Sequence, residues 1–309
     1  MILVFGSVNL DLIARVPTLP RPGETLPGES FAALPGGKGA NQALAARRAG
    51  ATVALAGAVG NDAFATLSLA GLVEANVDLT AVRTVAAPTG IALVHVDATG
   101  QNCITVIAGA NAHANPDAIT DALLAPVTTL LLQLEVPLGA VMNIATRARA
   151  RGARIVLNAA PALALPAQLL SAVDVLIVNE IEAASLAATL GLHAMPEAFA
   201  PAMLRRFGCA TVITLGAQGV LAATSGRLMR LAAPPVQVVD TTGAGDAFAG
   251  ALAAALDRGA PWSRALAEGV AAGSLACATA GAQPSLPQSA AIHRLAVKVE
   301  SSLVSHSLD

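Results

Sequence analysis

The chain reads as an α/β protein: a three-layer αβα sandwich around a mostly parallel sheet, with a small β-sheet lid. Two observations carry that reading. Short, uniformly apolar runs alternate with longer Ala- and Leu-rich segments along most of the 309 residues. Two stretches then break the rhythm with Pro, Gly and alternating apolar residues. Strands that are apolar on every position are buried on both faces, which is the mark of a parallel sheet between helical layers.

The candidate strands run in order through Ile2–Phe5, Val53–Ala56, Leu130–Leu134, Ile155–Leu157, Val175–Val178 and Val212–Leu215. Their spacing, mostly about 20 residues or more, leaves room for a crossover helix each time. The candidate helices are Gly39–Ala49, Ala63–Ala75, Gly139–Arg151, Glu180–Leu190, Asp246–Asp257 and Ser263–Thr279. The interrupting stretches are Leu10–Leu34, and Gly90–Ile107 with a turn at Asp97–Gln101. They divide the chain into an α/β domain of residues 1–9, 35–89 and 108–309 and a lid of residues 10–34 and 90–107. An apolar lid face of Ile91, Leu93, Ile104 and Val106 has no obvious helix to cover it, so a second copy is expected there. The segment Ser301–Asp309 reads as a frayed tail.

Composition narrows the function. A net charge of -2 with no long basic run argues against nucleic acid or an anionic membrane as partner. The 55% apolar content is largely Ala, and Gly269–Ala282, one of the longest apolar stretches, is broken by Gly and short of the ~20 residues a spanning helix needs. The N-terminal MILVFGSVN lacks the basic flank of a secretory signal. Cys103, Cys209 and Cys277 are far apart, and His95, His113, His193, His293 and His306 show no metal spacing. A cytoplasmic protein is expected.

The segment Asp240-Thr-Thr-Gly-Ala-Gly-Asp246 precedes the Ala-rich helix and follows the strand-like VQVV. Gly243 and Gly245 allow a tight turn that exposes backbone N–H groups, and the helix start adds partial positive charge, so the loop suits an anion. Asp246 at its end could orient an attacking hydroxyl; alternatively it is a helix N-cap. Pro35-Gly-Gly-Lys-Gly-Ala-Asn-Gln42 also leads into a helix, and it lacks the G-x-x-x-x-G-K-[ST] spacing of a Walker loop. Lys38 and Asn41 could hydrogen-bond hydroxyls of a small ligand. Asn9 and Asp11, at alternate positions past the first strand, point the same way. Asn179-Glu-Ile-Glu182 has the spacing of a capping box. No G-x-G-x-x-G follows the first strand, which argues against a dinucleotide-dependent oxidoreductase.

Together, GGKGANQA near the start and DTTGAGDAF near the end resemble the two signatures of the ribokinase-like (PfkB) family of carbohydrate kinases, with greatest similarity to its ribokinase branch. GSVNLD, RPGET, TLLLQLEVP, LNAAPA, VNEIEA, VITLGAQG and GAQPSLP extend the resemblance from about Ile2 to about Pro287. It implies an ATP-dependent sugar kinase acting on the 5-hydroxyl of D-ribose. A nucleoside or other pentose or hexose kinase is the alternative on the same scaffold, and a catalytically silent sugar-binding regulator the alternative from another class. The resemblance makes Asp246 the catalytic base, with Gly243, Ala244 and Gly245 as an anion hole. Asn9, Asp11, Gly37, Lys38, Asn41 and Glu135 would hold the sugar. Asn179, Thr214, Gly216, Gly219 and Gly245 would bind ATP, with Glu182 associated with Mg2+. A potassium ion would be held by Asp240, Ser285 and the carbonyls of Thr242, Ala276, Thr279 and Gly281. Val270 stands where the family often borders adenine with a polar side chain. A homodimer formed through the lid is implied as well.

Overall fold

In the computed structural model, which describes residues 1–308, fourteen strands are β1 Ile2–Phe5, β2 Asn9–Arg15, β3 Ser30–Gly36, β4 Val53–Gly60, β5 Asp78–Val85, β6 Gly90–Val96, β7 Asn102–Ile107, β8 Thr129–Leu132, β9 Arg154–Asn158, β10 Val175–Asn179, β11 Ala210–Thr214, β12 Val220–Thr224, β13 Arg227–Leu231 and β14 Val304–Ser307. The helices are α1 Lys38–Arg48, α2 Ala63–Glu74, α3 Asp121–Leu124, α4 Leu138–Arg149, α5 Ala167–Ala172, α6 Glu180–Leu190, α7 Pro196–Phe207, α8 Ala244–Asp257, α9 Trp262–Ala276, α10 Ala282–Ser285 and α11 Ser289–Glu300. None of these helices is long and apolar enough to cross a membrane.

Ten strands form one sheet in the order β14-β13-β12-β11-β10-β9-β8-β1-β4-β5. Pairing is parallel from β11 through β5, and antiparallel at the β12–β14 edge. The two-residue period of a strand sends neighbouring side chains into separate cores. Ile2, Val4, Leu131 and Val156 join the core under α1, α8, α9 and α11, while Leu3, Phe5, Leu130 and Leu157 join the one under α4–α7. Helices therefore cover both faces, the three-layer arrangement expected from the uniformly apolar runs.

Small residues let the first helical layer pack closely. A Cβ on Gly250 of α8 would lie 2.7 Å from Ala46 N and 2.8 Å from Gln42 O of α1. The α1 and α8 backbones thus meet at a point where no side chain fits, which brings the GGKGANQ and GAGD segments side by side.

The remaining four strands make a second sheet, ordered β3-β2-β6-β7. Three sequence expectations change here and at the far edge. In the β6–β7 register Ile91 faces Ile107 and Leu93 faces Thr105, while Val106 pairs with Ala92 and Ile104 with Val94. Ile91 and Leu93 therefore lie on the opposite face from Ile104 and Val106, because antiparallel partners share a side. The VQVV segment is not a strand. Its end instead bonds to α9, with the N–H groups of Val239 and Asp240 donating to the Cys277 carbonyl at 2.8 and 3.2 Å. The tail is not frayed over its described length, since β14 pairs antiparallel with β13 and extends the large sheet.

Candidate active site

The GGKGANQ segment wraps under the start of β2. Gly37 has φ 88, and a Cβ there would sit 2.7 Å from Asn9 N, so only glycine allows this approach. The Lys38 N–H donates to Glu135 Oε2 at 3.1 Å, and the Ser7 hydroxyl donates to the same oxygen at 2.6 Å. Glu135 Oε1 is left for a ligand. Asn9 is buried, and its Oδ1 accepts from Asn111 Nδ2 at 2.7 Å; Asn111 is fixed in turn by the Val8 N–H and carbonyl. Asp11 packs over Gly36, where a side chain would collide with its carboxylate.

Asp246 is 7% exposed and lies in the first turn of α8; the N-cap is Gly243, with φ 77. Its Oδ2 accepts from Asn41 Nδ2 at 2.9 Å and its Oδ1 from Gln42 Nε2 at 2.8 Å. The carbonyl oxygen of the buried Asn41 side chain has no partner, so it is an acceptor poised for a hydroxyl. In the loop, the Ala244 N–H turns back onto the Thr241 carbonyl at 3.2 Å, while Ala247 starts the helical ladder on Gly243. The N–H groups of Gly245 and Asp246 are the helix donors that remain open to an anion.

Charge binds the cluster together. Burial pushes the Asp11 carboxyl up to about 6, with the nearby Glu135 and Asp246 charges adding to the rise and Lys38 opposing it. Burial works against the Lys38 ammonium, but Asp246, Glu135, Glu182 and Asp11 outweigh it and hold that group above the ordinary lysine range. A charged Asp11 therefore costs stability. The cost is absent below pH ~4, where the group is protonated in both states, and is complete above pH ~6, amounting to at most about 3 kcal/mol. Asp11→Asn should raise the melting temperature at pH 7.5, with the gain vanishing as the pH falls from 6 to 4. A melting temperature that drops at neutral pH would contradict this.

Asn179 and Glu182 do form the reciprocal cap: the Glu182 N–H donates to Asn179 Oδ1, and the Asn179 N–H to Glu182 Oε2, both at 2.8 Å. Burial pushes the Glu182 carboxyl up from its ordinary value, against the pull of the Asn179 N–H and Lys38. One Glu182 oxygen, Oε2, is taken up by the cap.

Beside Gly245 opens a cleft of about 580 Å³, lined by Thr214, Gly216, Gly219, Val270, Pro234 and Pro235, among others. Gly219, at φ 90, is pressed against the Leu231 carbonyl, so the TLGAQG turn cannot carry a side chain there. The walls are mainly aliphatic, the common lining of a small-molecule cleft.

On the other side of the loop, Asp240 Oδ1 accepts from the Thr242 N–H at 2.9 Å and hydroxyl at 2.7 Å, and Oδ2 from the Gly281 N–H at 2.8 Å. Burial raises this carboxyl, but those donors and Arg15 prevail and hold it below the ordinary aspartate range. Ser285 is buried nearby in α10 and donates to the Ala282 carbonyl at 2.8 Å, while the Ala276 carbonyl takes the Thr279 N–H at 3.3 Å. One anionic carboxylate, a hydroxyl and peptide carbonyls make a hard-oxygen donor set, which fits a potassium ion.

Gln42, Asn158, Gln133, Ser7 and Asn111 were absent from the sequence-derived set. Each is a buried polar side chain at the end of an apolar run or inside a quoted motif, and that interruption was the available signal.

The pfkB family carbohydrate kinase profile matches residues 1–289. A ribokinase of Haemophilus influenzae is 37% identical over 288 residues, spanning 92% of this chain and 94% of that protein. Ribokinase from Thermotoga maritima superposes with a TM-score of 0.89 at 31% identity, covering 96% of this chain and 99% of that one. Arabidopsis thaliana ribokinase, solved in complex with ribose and ATP, gives a TM-score of 0.87 at 31% identity over 96% and 98% of the two chains. With both signature segments converging on one buried aspartate beside a nucleotide-sized cleft, the chain belongs to the pfkB family of carbohydrate kinases.

Proposed function

We propose that the protein is an ATP-dependent kinase of D-ribose that phosphorylates the 5-hydroxyl. The observation that carries this is Asp246, held at the open N-terminus of α8 between the hydroxyl-binding cluster and the cleft. In this reading Asn9, Asp11, Lys38, Asn41 and Glu135 grip the sugar hydroxyls, with Gly37 giving them room. Asp246 takes the proton of the reacting hydroxyl as its oxygen bonds to the γ-phosphorus, and the bond to the bridging β–γ oxygen breaks to release ADP. The Gly243 turn leaves the N–H groups of Gly245 and Asp246 open for the transferring group, with the Ala244 N–H engaged on Thr241, while Thr214, Gly216 and Gly219 receive the nucleotide. Mg2+ would accompany ATP near Asn179 and Glu182 and neutralise phosphate charge. An ADP-release assay across ribose, deoxyribose, fructose and nucleosides tests the substrate; faster turnover of a nucleoside than of ribose would overturn the choice.

Potassium fits beside the anion loop, held by Asp240, Ser285 and the Thr242, Ala276, Thr279 and Gly281 carbonyls, where it would steady that loop. Activity in buffer free of sodium and potassium should rise several-fold when potassium is added, and Asp240→Ala should blunt the response. Equal rates with and without potassium would count against the site.

Residues 10–34 and 90–107 serve as the lid in this reading, and the protein is a homodimer through it. Ile104 and Val106 are half-exposed on the Asp11 face of the small sheet, and Phe31 is exposed on the other. Proteins normally cover such surfaces. Light scattering at micromolar concentration should give about twice the 30.6 kDa chain mass; an active monomer would remove the dimer and leave the chemistry. The reducing cytoplasm, which supplies ATP, suits the three unpaired cysteines.

A further inference from the structure

Between the sugar cluster and the sheet lies a buried row of side-chain amides that no step above uses. Gln42 is wholly buried on α1. Its Nε2 donates to Asp246 Oδ1 at 2.8 Å and to Asn158 Oδ1, at the end of β9, at 2.9 Å. Its Oε1 accepts from Nε2 of Gln133, also wholly buried and just past β8, at 2.8 Å. Every polar position on the Gln42 amide that this row presents is thus engaged. Turning the amide over would set its oxygen against both the Asp246 carboxylate and Asn158 Oδ1, two repulsions in a site shut off from water.

We propose that Gln42 is a positioning residue for the transfer reaction: it pins Asp246 Oδ1 so that Oδ2 is the oxygen offered to the acceptor hydroxyl. This rests on the reading of Asp246 as the base. A carboxylate tethered only through the backbone of a helix start can swing about its side-chain bonds, and each departure from the attack geometry costs rate. Asn41 holds Oδ2, but from the ligand side, with its own oxygen open to the sugar. Gln42 holds the opposite oxygen from the protein interior, and its amide is held in turn by Asn158 and Gln133, neither of which hydrogen-bonds Asp246. The bland alternative is a buried glutamine satisfying its own amide. That alternative affects stability and leaves the rate at saturation alone.

Gln42→Met preserves length and removes the donor. At saturating ribose and ATP its kcat should fall about 10–100-fold, the size expected of a misplaced reacting group, with both KM values within about threefold of the unaltered protein. Thermal melting and circular dichroism establish that the variant is folded. If Gln42→Met does not fold, Gln133→Met serves in its place: it takes away the donor to Gln42 Oε1, loosens the amide that holds Asp246 and should lower kcat in the same sense, again with KM held. Asp246→Asn is assayed alongside. If that variant keeps turnover, the base assignment itself has failed. If it loses turnover while the folded glutamine variant keeps its kcat within twofold, or loses kcat and affinity in parallel, the positioning role is overturned. Placing Gln42→Met in the Asp246→Asn background should cost nothing more in kcat, since the group it orients is gone.

Discussion

Asp246→Asn should lower turnover by roughly 10²–10⁴-fold, the range for loss of a general base, while sugar affinity changes little. The substitution keeps the shape of a side chain that is 7% exposed and enclosed on two sides by the Asn41 and Gln42 amides. What it removes is the ability to accept a proton. One consequence is specific to this site. The substituted amide has one oxygen where the carboxylate has two, so its NH2 must face one of those two donors, and part of the loss is geometric. Turnover and ribose KM measured under saturating ATP check the assignment. An Asn variant with near-normal kcat would show that the hydroxyl loses its proton without Asp246.

Gly243→Val should lower turnover by about 10²–10³-fold through the other half of the machinery. Gly243 caps α8 at φ 77, a conformation that β-branched residues avoid, and a Cβ there would lie 2.9 Å from Ala282 Cα and 3.3 Å from Ala282 O. Those neighbours belong to the backbone of α10 and cannot rotate away. The turn must therefore open, and the open N–H groups of Gly245 and Asp246 leave the positions they hold for a transferring anion. The expected loss is the size seen when one such donor is removed. Measuring ribose affinity without nucleotide separates this from general disruption, because the sugar groups on β2 and α1 do not depend on the turn. A variant with native kcat would mean the loop conformation is not needed for transfer.

The parts of the chain that were legible in advance share a physical property: their signal is local. Ile2–Phe5 and Glu180–Leu190 match the observed elements at both ends, because an apolar run between polar residues and an Asn–Glu cap are each written within a few positions. The turn at Gly243 and the helix after it were readable for the same reason, since the two are contiguous. The edge strands β13 and β14 were not, because RLMRL and VSHS carry charged and polar residues and become strands only by pairing with a neighbour already in the sheet. Val236–Val239 shows the converse: β-branched residues suggested a strand, but the Cys277 carbonyl just past α9 took the Val239 N–H instead of a neighbouring strand. The face of the small sheet failed by a single register step, enough to move every side chain to the other side. In the site, Gln42 sat inside a quoted motif unassigned. Its partner is 204 residues away, and no local pattern reports a contact across that separation.

The meeting of Gly250 with Ala46 and Gln42 has a consequence for how this enzyme can vary. Because the two helices touch through backbone, their separation is a fixed gauge rather than an adjustable gap filled by side chains. A single added methyl at position 250, remote from every ligand, would be transmitted along α1 and α8 as a change in the distance between Gln42 and Asp246. Sequence drift in this layer is thereby tied to chemistry. Residues 42, 46 and 250 can change only as a set, and packing and reactivity in this layer are one constraint.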